Sequence, residues 1–395
     1  MSSLATSEEP PEPPLFTRDF ALILVAQLAF GFAFSSFFLL PKYVVTELHG
    51  SPSQVGYVGA LAVVAAVLSS PGAGSLLDRG GRRPLMFVGC LLSALAAFAF
   101  LGVTHIGAYL YAVRAVQGLA YTLYFVAVTT LVADLAPASR LGQAIGWVGC
   151  ASLVMNAVAT IIAERIAESF GWHAVFMSAA VSGLCGAVLT LLLHEPLPQP
   201  KQHTLAAPCA AVPGARLAIM WAAIAGGMAF GVMFTFTAPL ALSLGDSNIS
   251  PLFAGYTTAA LAVRLLFGTM ADRLGRARVG GAALALYSLV VASTAGLGHG
   301  WLAALGLAFG LAHGAFYPSL NALALEGVSR EQRGSVGAYF NAAFNAGVLI
   351  VTFCFGQIAQ QYGYRIVFLL VACLSVSGSF VLWSQSRKSV LVRPS

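Results

Sequence analysis

Gly74-Ser75-Leu76-Leu77-Asp78-Arg79-Gly80-Gly81-Arg82-Arg83 closes a long apolar run. The pattern returns half a chain later as Gly268-Thr269-Met270-Ala271-Asp272-Arg273-Leu274-Gly275-Arg276-Ala277-Arg278. A second pair keeps nearly the same offset: Gly171-Trp172-His173-Ala174-Val175-Phe176 recurs as Gly363-Tyr364-Arg365-Ile366-Val367-Phe368. Two pairs in register identify the chain as a duplication, one half repeated in the same order.

The unit being repeated is set by composition. With 58% hydrophobic and 9% charged residues, the chain is far more apolar than soluble proteins, of which about a quarter is charged. Runs without a charge cover 20–41, 48–77, 84–113, 115–133, 141–163, 169–194, 217–245, 247–263, 279–325, 334–364 and 366–386. A helix crosses hydrocarbon in about 20 residues, so 279–325 holds two spans, joined at Gly298-His299-Gly300. The expected fold is an all-α membrane protein of twelve transmembrane helices in two pseudo-symmetric six-helix bundles, 19–194 and 216–386. Residues 1–18, with Pro10, Pro11, Pro13 and Pro14, are expected to be a disordered tail and lack the basic start of a signal peptide. The proline-rich 195–215 is a linker, and 387–395 a second tail.

Charge sets the expected orientation. With twelve spans both termini share a side, and fifteen of the twenty Lys and Arg residues fall there. Lys42, Arg165 and Arg365 fall opposite, while Arg114 and Arg264 lie inside spans. The positive-inside rule therefore places both termini in the cytoplasm. The net charge of +6 follows from loops facing anionic headgroups, and nucleic acid need not be invoked. The six cysteines have no metal-ligand or disulfide spacing, so no cofactor or metal is expected. No H-E-x-x-H or G-x-S-x-G occurs to suggest an intramembrane enzyme.

The loop G-x-x-x-D-R-x-G-R-R between the second and third spans resembles the signature loop of the major facilitator superfamily, notably its bacterial drug and metabolite efflux members. The resemblance covers essentially the whole chain. It implies a transporter working by alternating access, with a small-molecule substrate, a proton as the candidate coupling ion, a monomer in the bilayer, and residence in a bacterial inner (plasma) membrane. It also implies a gating cluster on the terminal side: Gly74, Asp78, Arg79 and Arg82 with Asp134 closing span four, and in the second half Gly268, Asp272, Arg273 and Arg276 with Glu326. In that family the motif Asp caps the eleventh helix, where a carboxylate complements the helix dipole. The alternative is a solvated basic loop that only sets topology.

Arg114-Ala115-Val116-Gln117-Gly118 in span four looks like the family's R-x-x-Q-G element, whose arginine is implicated there in proton handling. An arginine this deep is costly unless it faces protein or water. Gln117 and Tyr121 share its helical face. Two readings stand, a path-lining cation and a structural pin held by backbone carbonyls. Span ten repeats the layout without the arginine: His313, Tyr317 and Asn321 recur at four-residue intervals beside a ridge of Gly306, Gly310 and Gly314, and Pro318 should kink the helix. His313 is either a titrating group or an interhelical hydrogen-bonding residue. Gln27, Asn156, Asn341 and Asn345 complete the expected substrate-binding set. Phe30, Phe34, Tyr124, Phe234, Phe236 and Phe344 either line a pocket or simply pack. Arg264 has no partner visible in sequence, and snorkelling to the interface is expected.

Two departures bear on mechanism. Where proton antiporters of the family carry a G-P-x-x-G-G kink, this chain reads Ala159-Thr160-Ile161-Ile162-Ala163-Glu164. No acid occurs mid-span in helix one, and the acid nearest a span, Glu164, lies at an outer end. A path holding Arg114 and no opposing midplane acid suits neutral or anionic small organic molecules, with export favoured by the resemblance, proton-coupled uptake of a metabolite anion as the alternative, and a transporter-like sensor as the reading from another class.

Overall fold

Thr17 opens the first span, its hydroxyl accepting from the Phe20 amide. Ser51 opens the second, in a reciprocal capping box with Gln54. Such caps satisfy the free amides that begin a helix. Within hydrocarbon the backbone must satisfy itself, and helix is the form that the charge-free runs adopt.

The computed structural model describes residues 15–137, 140–194, 214–267, 273–328 and 332–391, and among them there is no strand. The twelve long helices among the described residues are α1 (Arg18–Thr46, passing through a 3-10 turn), α2 (Pro52–Gly80), α3 (Arg82–Ala99), α4 (Ala108–Leu135), α5 (Leu141–Phe170) and α6 (Trp172–Leu191), then α7 (Gly214–Ser243), α8 (Ser250–Phe267), α9 (Arg276–Thr294), α10 (Leu302–Ala324), α11 (Arg333–Tyr362) and α12 (Tyr364–Leu391). Eleven are long and apolar enough to cross a membrane. The twelfth, α8, is 18 residues long and carries Arg264. The run 279–325 is two helices, as its length requires. Helix α12 continues to Leu391, so the residues expected to begin a tail at 387 are helical. Most of 1–18 and 195–215, together with Gly268 and Asp272, lies outside the described residues.

The repeat has a structural meaning. Gly81 and Gly275 have φ of 87° and 95°, and Gly171 and Gly363 have 81° and 83°. Each pair stands where one helix ends and the next begins, a backbone conformation that a side chain disfavours. Packing repeats too: α2 lies on α4 as α8 lies on α10, and α3 on α6 as α9 on α12. A methyl at Gly118 would sit 2.1 Å from the Ala62 carbonyl oxygen, and methyls at Gly306 and Gly310 would sit 2.1 and 2.2 Å from those of Leu252 and Tyr256. The R-x-x-Q-G glycine and the α10 ridge thus do the same work, letting backbones touch. The halves meet through α2 against α11 and α5 against α8. Pro318 lies inside α10, which runs on to Ala324.

Candidate functional site

The two ends of the molecule differ. At the end away from the termini the halves are sealed. A methyl at Gly56 of α2 would sit 2.1 Å from the Thr352 carbonyl oxygen of α11. Ser53 donates to Gln360 at 2.5 Å, and Gln357 donates to the Tyr57 hydroxyl. At the end carrying the termini the same helices stand apart: no described residue lies within 4 Å of where a side chain would begin at Gly72, Gly146 or Gly337, and Phe125, Trp147 and Tyr339 are exposed. Among the described residues the path between the bundles is therefore open toward the termini.

A charged latch holds the sealed end. Lys42 at the end of α1 donates to Glu164 of α5 and to the Ser247 carbonyl, both at 2.5 Å. Glu164 is 2% exposed and accepts from the Ile249 amide at 2.9 Å and the Ser250 amide at 2.6 Å. Ser250 begins α8, so an acid of the first half caps a helix of the second, where the dipole favours an anion. Sequence reasoning placed Lys42 on the far side and Glu164 at an outer span end, but paired neither with the other. A signal was present, since Glu164 lies eight residues after Asn156 and shares its face.

The first-half stripe is anchored to its own bundle. Arg114 donates through Nε to the Val58 carbonyl of α2 at 3.0 Å and through Nη1 to Gln117 at 2.5 Å. Tyr121 stacks on Phe34 with ring centres 4.8 Å apart. Gln27 donates to Ser152 at 2.9 Å, and Asn156 accepts from Ser35 at 3.0 Å.

On the second half Tyr317 donates to Asn341 at 2.6 Å, and the Asn345 amide donates to the Asn341 carbonyl at 3.0 Å. Asn321 is half-buried one turn further along α10. His313 is buried, its Nδ1 3.4 Å from the Tyr287 hydroxyl. Its ring lies among Phe230, Tyr256, Tyr317 and Phe344. The aromatics divide: Phe34, Phe234 and Phe344 join this lining, whereas Phe30 stacks on Tyr124 in the core and Phe236 is fully buried.

Arg264 differs from the snorkelling expectation. Its Nε is buried with no hydrogen-bond partner among the described residues. Its Nη1 lies 3.2 Å from where a Gly149 side chain would begin on α5 of the other half. The guanidinium therefore points inward, between the halves. Its register was the available signal, because Arg264 follows Tyr256 by eight residues on α8 and shares its face.

The terminal-side cluster is represented by Arg82, whose Nε lies 3.0 Å from Asp134 Oδ2. Gly74 and Arg79 are at the open end of α2, Arg79 exposed; Arg273 and Glu326 are exposed, and Arg276 begins α9. The side chain of Asp78 lies outside the described residues.

Two six-helix bundles flanking a path that opens at one end define a membrane carrier. Comparison with known proteins identifies the family: the model described as Major Facilitator Superfamily matches residues 22–252 and 220–394. The chain belongs to the major facilitator superfamily and is a transporter rather than an enzyme. It is 25% identical over 379 residues to "Multidrug resistance protein MdtG" of Erwinia billingiae, covering 91% of this chain and 92% of that one. The protein of the same name from Escherichia fergusonii is 24% identical over 366 residues, 88% and 89% of the two chains. Among solved structures, the nucleoside transporter NupG superposes with TM-score 0.74 at 18% identity, covering 92% of this chain and 98% of its own. The POT family transporter PepTSo gives 0.79 at 12% identity, covering 96% and 100%. At such identities the structural likeness speaks for the fold.

Proposed function

We propose that the protein exports small organic molecules, neutral or anionic, from the cytoplasm by alternating access, with both termini cytoplasmic, in a bacterial inner membrane and as a monomer. The observation that carries the reading is the asymmetry of the path: the Lys42–Glu164 latch seals one end while the other stands open. A path closed at one end and lined from both halves suits a carrier that rocks between two openings. The substrate face comprises Gln27, Arg114, Gln117, Tyr121 and Asn156 opposite His313, Tyr317, Asn321, Asn341 and Asn345. The cluster of Asp78, Arg82 and Asp134, with its repeat at Asp272, Arg276 and Glu326, closes the terminal end in the opposite state. Export agrees with the names of the relatives, and the basic loops support the orientation.

The test is transport by purified protein in liposomes of protease-mapped orientation, with drugs and metabolites of each charge class offered on either side. Accumulation away from the terminal side is expected. Uptake toward the terminal side would reverse the direction. Binding without movement of any compound would leave a sensor instead of a carrier.

A further inference from the structure

We propose that Arg264 is the anion-binding point of the central path, taking the carboxylate of an aromatic organic acid; this deepens the transport reading and rests on it. A guanidinium carries five N–H donors in a planar fork matched to a carboxylate. Here Nε is buried with no acceptor among the described residues, inside a span where an unpaired cation is costly. No described acid is available to it. Glu164 is held by Lys42 and the start of α8, Asp246 by His299, Asp134 by Arg82 and Asp19 by His194. Glu47 accepts from Trp172, and Glu168 and Glu326 are exposed near helix ends.

The other central arginine is not equivalent. Arg114 spends its Nε on the Val58 carbonyl and its Nη1 on Gln117. Arg264 offers its fork where the halves meet, beside Gly149. Tyr256 of the same helix meets His313, which meets Tyr317 and the ring of Phe230, and Tyr317 meets Phe344, a surface for a flat apolar body. A second unmet group lies along the same line. The Gln27 amide nitrogen is bonded to Ser152, one helical turn from Gly149, while its Oε1 is buried without a donor. An acid that also bears an N–H or O–H answers both groups.

The probes are indole-3-acetate, indole-3-acetamide and tryptamine, which share a ring and an N–H and differ in charge. Their binding is measured by isothermal titration on the full chain in zwitterionic nanodiscs. The acetate is expected to bind at least about tenfold tighter than the amide or the amine. Arg264→Lys should weaken it about tenfold, by losing the two-bond fork, and Arg264→Ala about a hundredfold. Arg365→Ala, exposed in the first turn of α12, should leave it unchanged. Equal affinity for acetate and acetamide, absence of acetate binding, or acetate binding indifferent to Arg264→Lys overturns the proposal. The charge series on the native protein decides the matter even if Arg264→Ala does not fold. Transport of neutral or cationic compounds without this preference would sink the subsite and leave the carrier; failure to move any compound would sink the carrier itself.

Discussion

Replacing Glu164 by Gln should release the sealed end. The carboxylate collects the Lys42 ammonium and the Ile249 and Ser250 amides, all donors, while the two side chains are 10% and 3% exposed. Glutamine keeps the shape but supplies one acceptor oxygen, and its NH2 group faces donors. It also leaves the Lys42 charge buried and unpaired. Removing one partner of a buried ion pair costs about 3–5 kcal/mol. Because this latch joins the halves, the cost falls on the state in which the far end is closed. At about 1.4 kcal/mol per tenfold, the equilibrium should move toward the far-open state by roughly a hundredfold or more. Lys42→Met should shift it less, since the carboxylate keeps two amides and the dipole of α8. Double substitution should fall short of the sum, because the pair is shared. Electron–electron resonance distances on a cysteine-free protein would read this, with labels at Thr104 and Trp301 across the far end and at Gln143 and Tyr339 across the terminal end. The far pair should lengthen and the terminal pair shorten. Unchanged distances in Glu164→Gln, with native folding, would refute the latch.

Other outcomes follow from the same geometry. Arg82→Ala should leave insertion intact and slow turnover in liposomes several-fold, and Asp134→Asn should add little to it, because the two share one ion pair; strictly additive losses would show independent roles. Gly118→Val should lower thermal stability by more than about 2 kcal/mol, since a side chain there meets the Ala62 carbonyl oxygen at 2.1 Å, whereas Gly146→Ala, open beyond 4 Å, should change melting little; the pair is compared by fluorescence-monitored unfolding. Cysteine pairs across the terminal ends of α4 and α10 should crosslink poorly in the native protein and readily in Glu164→Gln. Equal crosslinking in both would contradict rocking of the halves.

The fold was legible because hydrocarbon leaves the chain few choices. Charge-free runs of spanning length had to become helices, and the two repeated glycine pairs marked the joints at which Gly81, Gly171, Gly275 and Gly363 turn. Contacts between helices distant in sequence were far less legible. Gln27 meeting Ser152 within one bundle and Glu164 meeting Ser250 across the two span separations that no helical period encodes. Periodicity assigns a residue to a face, and only packing of the bundles decides what that face meets. Glu164 illustrates the limit: its place at an outer span end was visible, yet one helical step separates the inward acid from the exposed Arg165.

The two intramembrane arginines show how a costly charge can serve opposite ends. Arg114 has the sequence setting of a path residue, and its bonds to Val58 and Gln117 tie α4 to α2 within one bundle. Each charged hydrogen bond of this kind contributes about 1.5–3 kcal/mol, so Arg114→Ala should lower stability by a few kcal/mol, and Arg114→Lys should recover part of that by reaching one carbonyl. The buried Nε of Arg264 has no such acceptor among the described residues, so Arg264→Ala removes an uncompensated desolvation cost as well as a cation and should be neutral or mildly stabilising without ligand. Unfolding of both variants in the same lipid, followed without ligand, separates the roles. A stability loss at position 264 equal to that at 114 would mean that Arg264 is also a pin, and the sign of the cargo would then be set elsewhere in the path.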